Sequence, residues 1–372
     1  MPLLLKRHLK ETVNLASSHG LIDLNIICTD GSKIKANANK KRSLTEEQVK
    51  KLDLVIDKMI EEDIKQDEID EKMYWEKEEN LTNLEDKNLR EIVKVYRKNK
   101  NKAGLKKKCV QAKGEFQKDF EMKRVSLTDP DCRMMQNKKG TSELDYNVQF
   151  TVDSKNQIIP ANDVCQDRTD RKQLQLQVKQ VKENIGLKKG TKIAADCNYN
   201  SGQNLNFLEN EHLDGYIPTL GQAQEFDDRE ITIKEDCYKY DQEKDIILFK
   251  GRKLRYFSTW THGKNKKYRI YKSRDGTVTK KVIEFFREGL RMKVGSDTGK
   301  VVYNIRKFII EPVIGNIKYN MRFDEFSLRG LEKVKLDLNL ASIVHNLKKV
   351  WLKKIEMYSI QQYSHFCLII EK

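Results

Sequence analysis

Three carboxylates stand at positions from which a folded chain could use them together. Asp30 closes a short β-rich run at residues 24–29, and Asp196 closes another at residues 191–195. Glu311 lies in an apolar, helix-patterned stretch at residues 301–319. Acids far apart in sequence but convergent in space suit a divalent-cation site, because hard cations take oxygen ligands. Two such ions about 4 Å apart can activate an attacking oxygen and stabilise a leaving one. Asp129, Asp131, Asp153, Asp297, Asp324 and Glu325 are rivals for the same roles. Other chemistries find little support. The 6 histidines are not paired at ligand spacing, and the 7 cysteines form no C-x-x-C pair, which argues against zinc and against a disulfide framework. Neither G-x-x-x-x-G-K-[ST] nor G-x-S-x-G occurs.

The elements that must position these acids can be read from periodicity. A helix is predicted over residues 3–19, ended by His19-Gly20, then a strand over 24–29 that stops at Asp30-Gly31. Residues 44–124 carry helical spacing with Ser43 or Thr45 as the cap, an acidic middle and a basic later part. This stretch reads either as a solvated charged hairpin or as an arm that contacts DNA or a second subunit. Strands follow at residues 146–153 and 157–161, joined as a hairpin through 153–155. A helix at 171–185, the strand ending at Asp196, a helix capped by Ser201 and a strand at 215–218 complete the middle. Residues 220–300 look like an antiparallel β insertion, and 331–357 like a final helix. Pro312 should kink the helix near residues 308–311 or restart it at residue 312.

With the two inserted stretches removed, the order is that of a ribonuclease H-like α/β domain, a mixed sheet flanked by helices. Its core would comprise residues 1–43, 125–219 and 301–372, interrupted by a helical insertion at 44–124 and a β-rich one at 220–300. Lysine and arginine number 72 against 56 aspartates and glutamates, a net charge of +16 that fits a polyanionic partner. No run approaches the roughly 18 apolar residues of a membrane span, and no secretory signal is evident, so a cytoplasmic protein is expected.

Several blocks share the pattern of one family. Asp30-Gly31-Ser32-Lys33-Ile34-Lys35-Ala36-Asn37-Ala38-Asn39 resembles the D-G-T-K-x-x-A-N-A-N segment of bacterial insertion-sequence transposases of the DDE class. Asp129-Pro130-Asp131-Cys132-Arg133 and Tyr146-Asn147-Val148-Gln149 resemble their D-P-D-A-R and Y-N-V-Q blocks. Ala195-Asp196-Cys197-Asn198-Tyr199-Asn200-Ser201 resembles A-D-x-G-Y-x-S. Glu311-Pro312-Val313-Ile314-Gly315-Asn316-Ile317-Lys318, with Leu328-Arg329-Gly330 and His345-Asn346-Leu347, resembles E-P-V-F-G-x-I-K, L-R-G and x-N-L.

The resemblance implies metal-dependent DNA strand cleavage and strand transfer, with Asp30, Asp196 and Glu311 as the metal-binding triad. Two Mg²⁺ ions are implied, with Mn²⁺ as a substitute. Tyr303, Arg306 (or Lys307, which shares a helix face with Tyr303, Glu311 and Lys318), Lys318 and Arg329 are the implied DNA contacts. Element ends and target DNA would be the partners, a homodimer the synaptic assembly, and the nucleoid the location. Relatives carry a helical DNA-binding region upstream of the Pro2-Leu3-Leu4-Leu5-Lys6-Arg7 block, and this chain starts at that block. A catalytically silent DNA-binding remnant is therefore the alternative expectation.

Overall fold

The computed structural model describes residues 2–66, 87–98, 102–136, 140–220, 222–223, 238–241, 246–249, 252–262, 266–273, 276–281 and 292–370. The acidic stretch at residues 67–86 lies outside them. The architecture is mixed α/β, compatible with a ribonuclease H-like domain.

Its centre is a six-stranded sheet built on β1 (Ile26–Lys35) and β5 (Ser142–Asp153), which pair antiparallel. On the far side of β1, β7 (Lys192–Ala195) and then β8 (Asp214–Tyr216) run parallel to it. The outer edge of β5 is shared: β4 (Arg133–Gln136) covers its first half and β6 (Ala161–Cys165) its second. Before these, β2 (Ser43–Leu44) pairs with β3 (Val125–Ser126), closing the base of the helical segment between them.

Period-two alternation sends β1 side chains to two cores. Cys28 and Ile34 face α7 (Asp297–Gly315) and α8 (Leu331–Ile370), packing with Val302, Ile310, Val313, Val334 and Leu338. Ile27 faces the other way, with Ile193 and Ala195, toward Val178 and Val181 of α5 (Leu174–Asn184) and Leu205 of α6 (Gly202–Asn210). Helix α1 (Pro2–Ser18) lies along α8, where Ala16 meets Val350.

Three helices, α2 (Glu46–Gln66), α3 (Lys87–Lys98) and α4 (Lys102–Lys118), enclose their own core, in which Leu52 and Ile56 meet Ile92, Cys109 and Phe116. Thr45 caps α2 by a reciprocal pair: Gln48 N–H donates to Thr45 Oγ1 at 3.3 Å, and Thr45 N–H donates to Gln48 Oε1 at 2.9 Å. Five strands, β9 (Tyr238–Asp241), β10 (Ile246–Phe249), β11 (Arg252–His262), β12 (Lys266–Ser273) and β13 (Gly276–Lys281), form a separate antiparallel meander.

Three local expectations need correction. β1 does not stop at Asp30-Gly31 but continues to Lys35, because β5 pairs with it along that whole length. Residues 157–160 are not strand. The Asn346 side chain takes the Ile159 backbone instead, accepting from its N–H at 2.9 Å and donating to its carbonyl at 3.0 Å, so pairing with β5 begins only at Ala161. Helix α7 does not restart at Pro312; it runs on to Gly315, and its departure from α geometry comes in the π turn Asn316–Asn320.

Candidate active site

Thr29 of β1 stands opposite Ala195 of β7 in the parallel register. The next residues, Asp30 and Asp196, therefore leave neighbouring strands side by side, at the point where β7 ends and β1 continues. Neighbouring strands lie about 4.8 Å apart. Alternation aims both carboxylates at α7, since Cys28 and Ala194, two residues earlier on each strand, belong to the core beneath that helix.

Two α7 side chains meet them. Arg306 Nη1 donates to Asp30 Oδ2 at 2.6 Å, and the Tyr303 hydroxyl donates to Asp196 Oδ1 at 3.4 Å. The guanidinium also lies 5.4 Å from the Tyr303 ring centroid. Arg306 is 8% exposed and Asp30 19%, so the pair is largely removed from water. Burial pushes the Asp30 carboxyl up to about 6; Arg306 opposes that rise, while the charges of Asp196 and Asp170 add to it. Burial works against the Arg306 charge, but Asp30, Tyr303 and Asp196 outweigh it and raise its pKa further. Its Nε–H is buried with no hydrogen-bond partner among the described residues.

Asp196 also caps the short turn Cys197–Tyr199, accepting from Cys197 N–H at 2.8 Å. That turn buries Tyr199, whose hydroxyl donates to Gln149 Oε1. Gln149 Nε2 and Asn147 Nδ2 in turn donate to Asp170 Oδ1, at 2.7 and 2.8 Å. This polar network lies behind Gly31. A methyl group at Gly31 would overlap the Asp170 carboxylate and come within 2.7 Å of Gln149 Nε2. The strand can pass Asp170 here only because residue 31 has no side chain.

Glu311 is not part of this cluster. It is exposed, and among the described residues no group of three histidine, cysteine, aspartate or glutamate side chains is placed to hold a metal. Around the α7 axis, Glu311 lies about 140° from Arg306, which meets Asp30, and about 80° from Tyr303, which meets Asp196. The same geometry selects Arg306 over Lys307 as the partner of Asp30. Lys318 lies in the π turn and donates to the Lys33 carbonyl, on β1. Arg329 is exposed and is held by Asn37, donating from Nη2 to Oδ1 at 2.8 Å and from Nε to the carbonyl at 2.9 Å.

Three of the rival acids have other partners. Asp129 accepts from the Tyr146 hydroxyl at 2.9 Å, and Asp131 accepts from Leu331 N–H at 2.8 Å, capping α8. Asp153 accepts from Leu24 and Lys155 backbone N–H groups. Sequence reasoning missed Asp170 and the partnership of Asn147 with Gln149. The second had a signal, since the two amides alternate with buried Tyr146, Val148 and Phe150 and so share one face of the strand. Asp170, in the loop before α5, had none.

Residues 262–351 match the family model for a transposase DDE domain. That segment is similar to the DDE domain of transposases. The matched segment contains Tyr303, Arg306, Lys307, Glu311, Lys318 and Arg329, and it ends within α8. Asp30 and Asp196 lie outside it, and β1 and β7 bring them to the face of α7 that the segment supplies. Comparison with curated proteins and with solved structures finds no match.

Proposed function

We propose that this chain is a DNA transposase that hydrolyses one strand at an element end and joins the freed 3′-hydroxyl to a target phosphodiester. The observation that carries the reading is the pair Asp30 and Asp196, side by side and facing the helix of the DDE domain.

The donor set fits a hard divalent cation. Two neighbouring carboxylates offer oxygen ligands, and the Asp196 charge already disfavours ionised Asp30, a repulsion that a cation would relieve. Mg²⁺ is commonly held by one or two carboxylates plus water and substrate phosphate. When bound, such an ion supplies Lewis acidity at the scissile phosphate. Glu311 is the third acid of this reading, supported by its spacing to Lys318 within the matched segment.

The protein's own groups have defined tasks. Asp30 and Asp196 would hold the cation, and Tyr303 orients Asp196. Arg306, held charged beside Asp30, adds positive charge near the scissile phosphate. Lys307, Lys318 and Arg329 hold flanking phosphates. In cleavage, a water oxygen bonds to phosphorus, the bond to the 3′-oxygen breaks, and that oxygen leaves as a hydroxyl. In joining, the 3′-hydroxyl attacks a target phosphorus and displaces a second 3′-oxygen. Access to chromosomal DNA implies a cytoplasmic, nucleoid-associated location, and pairing of two ends implies a homodimer.

The test is nicking of supercoiled plasmid with Mg²⁺ or Mn²⁺. Asp30→Asn and Asp196→Asn should each lower the rate at least about 100-fold, the scale of losing a group that stabilises transition-state charge. Glu311→Gln should do the same, whereas Asp297→Asn at the start of α7 should not. DNA binding without nicking under either ion would make the chain a silent remnant.

A further inference from the structure

Five residues beyond Asp30, the chain leaves β1 and enters an open cleft of about 930 Å³ that none of the catalytic groups lines. Its walls come from separate parts of the chain: the end of β1 and the loop after it, α4, the start of β5, and the loop before α8. Lys35, Lys40, Arg42, Lys108 and Arg329 contribute five cations to the lining. Only two acids, Glu143 and Glu325, oppose them, leaving a formal charge of 5 − 2 = +3 around one cavity. The rest of the wall is rich in amide and hydroxyl groups, such as Asn39 and Thr128.

Two of the cations are fixed in place. Arg329 is held by the Asn37 carbonyl and amide oxygens, and Lys40 donates to the Ser142 carbonyl at 2.8 Å. Neither contact neutralises a charge, since both acceptors are neutral. Such pre-organised cations lose less freedom when they meet an anion. The cleft is too large and its cations come from too many elements for a single phosphate; the arrangement suits a chain of phosphates.

We propose that this cleft binds the phosphodiester backbone of DNA beyond the scissile site. The proposal rests on DNA being the substrate of the Asp30–Asp196 site. Five residues of strand at about 3.3 Å each put Lys35 about 17 Å from Asp30. Duplex DNA advances about 3.4 Å per base pair, so the cleft takes phosphates about five base pairs from the cut. The helical segment at residues 87–118 thereby gains a task, for Lys108 of α4 brings one wall of the cleft.

The measurement is binding of the full chain to a fluorescein-labelled 30-base-pair duplex by anisotropy, from 50 to 200 mM NaCl. Each lost phosphate contact should lower the slope of log affinity against log salt by about 1. Lys40→Gln with Arg42→Gln should therefore flatten the slope by about 2. The exposed Lys40→Gln alone should flatten it by about 1, and serves if the double variant does not keep the wild-type thermal midpoint. Lys188→Gln with Lys189→Gln, beside the opposite end of β1, should leave the slope unchanged. Wild-type slopes in the cleft variants, with wild-type DNA binding intact, would overturn the cleft and leave the transposase reading standing. Inorganic pyrophosphate that bound at the cleft, with the duplex indifferent to its charges, would also overturn it. A wild-type chain that bound no duplex at all would sink both.

Discussion

Gly31 sits between two polar systems, and its missing side chain decides whether both can exist. In front of it, Asp30 meets Arg306; behind it, Asp170 is held by Asn147 and Gln149. Neither amide nor carboxylate is a long, free side-chain end that could swing aside, so Gly31→Ala must shift the strand or break those bonds. Overpacking of this kind costs about 1–3 kcal/mol. Urea unfolding should show that loss, and plasmid nicking should fall further than duplex binding, because the displaced strand carries Asp30. A variant with wild-type stability and nicking would mean that Asp170 moves freely and that the network behind β1 positions nothing.

Between elements, the helical segment is tied to the sheet by one buried charge cluster. Arg133 of β4 donates through Nη2 to Glu115 of α4, and both side chains are 4% exposed. The Arg133 Nη1 atom meanwhile donates to the carbonyls of Pro130, Asp131 and Cys132. Lys118 adds a second cation at Glu115, 2.7 Å away, but it is largely exposed. Removing one partner of a buried pair leaves the other charge uncompensated, at a cost of about 3–5 kcal/mol. Arg133→Ala should therefore lower the urea midpoint markedly, while Lys118→Ala should barely move it. Equal effects of the two substitutions would show that the exposed lysine holds Glu115 as firmly as the buried arginine does.

Across the whole molecule, buried carboxylates set the response to pH. Burial pushes both Asp145 and Asp153 up to about 6, above the usual value near 3.9 in an unfolded chain. The folded state thus holds these protons more tightly than the unfolded state. Their stabilising contribution is complete below about pH 4 and is lost as pH rises through about 6. Each shift corresponds to about 2–3 kcal/mol. Unfolding free energy measured from pH 5 to 7.5 should decline for the wild-type chain and decline less for Asp153→Asn. A slope unchanged by that substitution would show that Asp153 ionises normally in the fold.

Local rules read from the sequence account for much of the framework. Hydrophobic spacing marks α1, α2, α5 and α8, Thr45 and Ser201 mark the starts of α2 and α6, and β-rich runs mark the strands that lead to Asp30 and Asp196. These features are set by neighbours a few residues away, which is why they are legible without a fold. The rest depends on partners distant in the chain. β1 runs past Gly31 because β5 pairs with it and Asp170 fills the space of a side chain. Residues 157–160 stay out of the sheet because Asn346, nearly 190 positions away, takes the Ile159 backbone. Arg306 rather than Lys307 reaches Asp30 because the rotation of α7 is fixed by its packing on the sheet and not by its composition. The sequence by itself determines which residues have the chemistry; the tertiary structure decides which of them meet, since a hydrogen bond or ion pair depends on ångström distances that spacing along the chain does not specify.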